Sequence, residues 1–205
     1  MPSPASLRGS TGFRDAWGRL PRVGAVLAVA IAAAVVAWVL IDRNNGNSSQ
    51  SSGLVTVPTV TTSGQVTRPS IRSVAELQTL ARASPVPLYW AGERAGSRLE
   101  FTRAPTGAIF VRYLPPGVAA GDLRPYLTVA TYPTPHGFTE IQTSARSSKT
   151  KTIHLAGGGL AVYDTATPTN VHIAYPGQPY QIEVFAPGNG TATALVSNGA
   201  IRPVG

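Results

Sequence analysis

Alternating apolar and polar positions fill the second half of this chain, while one unbroken apolar run dominates the first. Stretches of period two or short apolar runs recur at 88–91, 98–103, 108–114, 126–132, 152–156, 160–164, 170–175 and 180–186, separated by Pro, Gly, Asn and Asp. Such segments predict eight short strands joined by turns. A helical stripe of Val74, Leu77, Leu80 and Ala81 begins at Ser73-Val74-Ala75-Glu76, which has the spacing of a capping box, and stops before Ser84-Pro85. Two further short helices fit 137–147, with Phe138, Ile141 and Ala145 on one side, and 191–197. The pattern predicts an α+β domain: a mainly antiparallel sheet of about seven to eight strands, with two or three short helices on one face.

Two hairpins carry their own register. Pro105-Thr106-Gly107 is a three-residue connection with Gly where positive φ is wanted. Pairing 104 with 108 sets Phe101 opposite Val111 and Leu99 opposite Tyr113, and on the other side Glu100 opposite Arg112. Pro176-Gly177-Gln178-Pro179 joins Tyr175 to Tyr180, which sets Ile173 opposite Ile182, Val171 opposite Val184, and His172 opposite Glu183. In both, one register yields an apolar face and a charged face expected to meet solvent.

The unbroken run is 23–41, VGAVLAVAIAAAVVAWVLI, nineteen residues without a charge. As a helix it would span about 28 Å, close to the hydrocarbon thickness of a bilayer. Arg8, Arg14, Arg19 and Arg22 precede it with Asp15 as the only acid, and Asp42 and Arg43 nearly cancel behind it. The positive-inside bias therefore predicts a cytoplasmic N-terminus and a single-pass anchor in the cell membrane. A cleaved signal peptide is disfavoured because the run is long and ends in Trp38-Val39-Leu40-Ile41-Asp42, without a small-x-small site. Residues 1–22 form a basic tail, either disordered or lying on the membrane through Phe13, Trp17 and Leu20. Residues 42–70 are rich in Ser, Thr, Asn, Gly and Pro and read as a linker, leaving 71–205 as the extracytoplasmic domain.

Composition removes several chemistries. There is no cysteine, so disulfides, zinc thiolates and thiol catalysis are excluded. The formal charge of +8 shrinks in the domain, where eleven basic face seven acidic side chains without a basic run, which gives no footprint for nucleic acid. His136, His154 and His172 lack a second ligand at metal spacing, and no cofactor or metal is expected. The sharpest catalytic candidates are His172 and Glu183, since a carboxylate that orients an imidazole is half of a general base. Nothing in the sequence places a nucleophile beside them. Asp122, Glu140 and Asp164 would need the fold to converge. Gly157-Gly158-Gly159, followed by a strand, reads as a tight connection and not as a phosphate cradle. Among many tyrosines, Tyr89, Trp90, Tyr113 and Tyr175 are the candidates for lining a ligand groove, with core packing as their other role.

The segments PVPLYWAGERAG, IFVRYLPPG and HIAYPGQPYQIEVFAP resemble stretches of membrane-anchored, uncharacterised exported-domain proteins of high-GC actinobacteria. That resemblance implies a location and a layout, with no activity or site residues to carry over. The expectation is a membrane-tethered extracytoplasmic binding or interaction domain without catalysis. Its partners would be the lipid bilayer and an envelope protein or cell-wall polymer. The alternative is an exported carrier or sensor for a lipid or small ligand, with a cavity lined by residues such as Phe110, Tyr113 and Tyr175, and an envelope hydrolase is ranked below both.

Overall fold

The computed structural model describes residues 67–205. The basic tail, the apolar run at 23–41 and most of the linker lie outside the described residues. Within those described, no helix is long and apolar enough to cross a membrane.

The chain enters through strand β1 (Thr67–Arg72) and turns into helix α1 (Val74–Arg82). Ser73 Oγ accepts from the Glu76 amide at 3.3 Å while Glu76 Oε2 accepts from the Ser73 amide at 2.7 Å, so both halves of the capping box form. A cap of this kind stabilises by about 1 kcal/mol. There follow β2 (Tyr89–Trp90), β3 (Arg98–Arg103), β4 (Ile109–Leu114), β5 (Thr128–Pro133), α2 (Gly137–Ser144), β6 (Thr150–His154) and β7 (Leu160–Asp164). The chain ends with β8 (Asn170–Ala174), β9 (Tyr180–Phe185), α3 (Thr191–Ser197) and β10 (Arg202–Pro203).

Eight strands make one antiparallel sheet in the order β1-β3-β4-β5-β9-β8-β7-β6, and β10 pairs with β2 apart from it. The sheet therefore joins two local meanders, with β5 against β9 at the seam. Both expected hairpins form in the expected register: Phe101 faces Val111, Glu100 faces Arg112, Ile173 faces Ile182 and His172 faces Glu183. Strand β1 takes in residues 67–70, which composition had assigned to the linker. It is an edge strand paired only with β3, and an edge tolerates Pro69.

The inner face carries the main core. Phe101, Val111, Val129, Ile182, Val184, Val171 and Ile173 are buried there with Leu77 of α1 and Ala192, Leu195 and Val196 of α3. Helix α2 sits elsewhere. Its Ile141 packs with Val162 and Ala174 on the outer face, so the helices cover both faces and not one as expected. The reason is visible in β7, LAVYD, whose Leu160 and Val162 give the outer side an apolar patch of its own. The glycine run closes the β6–β7 turn, with the Leu155 amide donating to Gly159 O at 2.8 Å. A Cβ on Gly159 would fall 2.4 Å from the Tyr175 ring, so only glycine lets that ring pack.

Candidate functional site

Pairing across the seam lines up one row of side chains on the outer face: Thr102, Phe110, Ala130, Glu183, His172 and Val162, taken from β3, β4, β5, β9, β8 and β7 in turn. Ala130 is the small member. Standing between Phe110 and Glu183, it leaves a depression over the central strands, walled by Tyr132, Phe185, Thr128 and Arg112. Its volume is about 100 Å³. Helix α2 covers the sheet on the β7–β8 side of this groove, and the loop 115–127 covers it on the β3 side.

Two buried carboxylates stand on this face, and their surroundings differ. Glu100, 1 % exposed, receives Arg112 Nη1 at 2.7 Å and the Gly121 amide. Arg112 Nη2 in turn donates to Asp122 O at 2.7 Å and Arg124 O at 3.1 Å, and its guanidinium lies 5.4 Å from the centre of the Tyr126 ring. This ion pair ties the loop 115–127 to the sheet. Glu183, 5 % exposed, has only neutral donors: Tyr132 Oη at 2.8 Å on one oxygen and Asn170 Nδ2 at 2.6 Å on the other. Among the described residues it forms no ion pair. Burial, and then the negative charge of Glu183, push the Tyr132 phenol far above its ordinary range. That phenol remains a donor at any physiological pH.

The charged faces of the two hairpins were expected to meet solvent, and this is corrected. Aromatic neighbours and the loop 115–127 exclude water from both carboxylates. His172 stands opposite Glu183 in the ladder and is half-buried, but no hydrogen bond joins them; the carboxylate accepts from Tyr132 and Asn170 instead. The arrangement supplies a fixed, buried negative charge beside aromatic faces. It does not supply an imidazole oriented for proton abstraction.

The other sequence candidates disperse. Asp122 sits in the loop 115–127, where side-chain and backbone hydrogen bonds from Arg124 hold its carboxyl well below the usual carboxylate range. Glu140 on α2 accepts from Gln181 Nε2 at 2.9 Å, and Asp164 accepts from the Ala166 amide at 2.7 Å. His136 stands at the start of α2 and His154 at the end of β6, both exposed. Among the described residues no group of three or more His, Asp or Glu could hold a metal ion.

Tyr89, Trp90 and Tyr113 are buried in the inner-face core, and half-buried Tyr175 packs against it. Tyr113 Oη accepts from the Ala91 amide at 2.7 Å and donates to Gly92 O at 3.0 Å. Burial pushes its phenol up to about 12. A pKa raised on folding gives stability that is full below the ordinary tyrosine value near 10 and is lost as pH rises through the folded value. Urea midpoints measured across pH 9–12 are therefore expected to fall, and to fall less steeply in Tyr113→Phe. Equal slopes would show that Tyr113 ionises as freely in the folded state as in the unfolded chain.

Three groove residues were absent from the sequence candidates: Thr128, Ala130 and Phe185. They enter the site only through the β5–β9 seam, a pairing between segments about fifty residues apart. Comparisons with family models, with curated proteins and with solved structures returned no match.

Proposed function

We propose that this chain is a membrane-tethered extracytoplasmic domain that binds a partner or ligand through the groove around Ala130 and Glu183, without catalysing a reaction on it. The apolar run 23–41 and its arginine flank support the tether and the orientation. The groove supports the binding role. A carboxylate held between aromatic walls, at the centre of a rigid sheet, is a feature that stability alone does not call for.

The carrier reading needs room for an acyl chain or comparable ligand. Sites for such molecules typically measure about 300–1,000 Å³. At about 100 Å³ the groove admits one small group and not a chain, which favours surface recognition over carriage.

The reading is tested by photo-cross-linking the full-length chain in membranes of its own host. Benzoylphenylalanine replaces Thr128 at the groove rim in one sample and exposed Thr139 of α2 in another. An adduct of defined mass at 128 and not at 139 is the expected result. Identical adducts at both positions, or none at 128, would count against the groove as the binding surface.

A further inference from the structure

Glu183 and Glu100 make a controlled comparison within one protein. Both carboxylates are buried on the same face of the same sheet. Glu100 is paired with Arg112 at 2.7 Å, whereas Glu183 has two neutral donors, faces His172 in the ladder without a hydrogen bond, and forms no ion pair among the described residues. Removing an ion from water is costly unless a counter-charge compensates, so a buried carboxylate without an ion pair favours a cationic ligand over a neutral one. It lines the groove directly, beside Phe110, Tyr132 and Phe185.

We propose that the groove binds a primary alkylammonium group, R–NH3+, with Glu183 as its counter-ion. This deepens the binding role proposed above and rests on it. Four features of the site converge on that chemistry. An ionised carboxylate offers about four acceptor positions, and Tyr132 and Asn170 occupy one each, leaving positions that call for N–H donors. A primary ammonium carries three such donors, while a quaternary ammonium carries none. The ring of Phe110 meets that of Tyr132 edge-on at 5.7 Å, and Phe185 stands across the groove, so aromatic surface adjoins the carboxylate as a cation prefers. The volume of about 100 Å³ suits an ammonium head with its first methylenes. Arg112, which also lines the groove, adds little repulsion, because it is paired with Glu100 at 2.7 Å.

The test titrates 15N-labelled full-length protein, in a non-ionic detergent, with n-butylammonium, 1-butanol and n-butylguanidinium, following backbone amide signals. The expected result is saturable movement of the Ala130 and Glu183 signals with butylammonium and not with butanol. In Glu183→Gln the affinity should fall by at least about tenfold while the remaining spectrum is kept. Should that variant not fold, Phe185→Leu carries the test and should weaken butylammonium several-fold while the spectrum away from the groove is kept; an unchanged affinity would overturn the assignment. Equal binding of amine and alcohol, with Glu183→Gln unaffected, would overturn the ammonium assignment and leave the groove standing as a binding site. Tighter binding of butylguanidinium would overturn it in favour of an arginine-like group. No groove shift with any probe would also overturn it, and the cross-link at position 128 would then judge the groove on its own. Nanodiscs with and without phosphatidylethanolamine separate the two sources of the amine. Groove shifts on adding that lipid assign a headgroup, and shifts with free amine alone assign a soluble ligand.

Discussion

Arg112→Ala is expected to destabilise the domain by about 3–5 kcal/mol, as removal of one partner of a buried ion pair does. Three consequences combine. Glu100, 1 % exposed, would keep its charge with only the Gly121 amide as partner. The carbonyls of Asp122 and Arg124 would lose their guanidinium donor. The loop 115–127 would lose the side chain that joins it to β4, including the stacking of the guanidinium near Tyr126. Urea unfolding followed by circular dichroism measures the effect. Combining Arg112→Met with Glu100→Gln should recover part of the loss, since no buried charge then stands alone. A single-variant cost below about 1 kcal/mol would mean that the pair behaves like a surface contact.

The second large effect lies on the opposite face. Phe101→Ala is expected to cost about 3–5 kcal/mol, the range for an aromatic ring removed from a closed core. Phe101 is 1 % exposed, stands between Ser70 of β1 and Val111 of β4 in the ladder, and belongs to the inner-face core with Leu77 of α1. Its neighbours are held by both strands and cannot collapse into the space. Phe101→Leu, which fills most of the volume, should cost about half as much. Its side chain points away from the groove, so butylammonium binding by the folded fraction should be unchanged. A loss of binding at full folding would show that the two faces are mechanically coupled.

Much of the domain was legible along the chain because its contacts are local. The capping box at Ser73 and Glu76 needs four residues. Each hairpin needs a dozen or so, and its register follows from the turn and from which side chains seek cover. Those same local rules placed Glu183 opposite His172 and Glu100 opposite Arg112. Alternation failed where a strand is apolar on both sides. Val162 and Leu160 carried no sign that α2 would cross to the outer face, and β1 and β10 are too polar and too proline-marked to register as strands.

The groove shows the same division more sharply. By itself the sequence determined the alternating strands, the two hairpins, the helix start and the chemistry available, because turn geometry and burial of one strand face act over a few residues. Only the tertiary structure decided that β5 pairs with β9. That contact is selected by the closure of the whole core, not by any neighbouring residue. It sets Ala130 between Phe110 and Glu183, turns Tyr132 onto the carboxylate in place of His172, and leaves one buried carboxylate ion-paired and the other held by neutral donors.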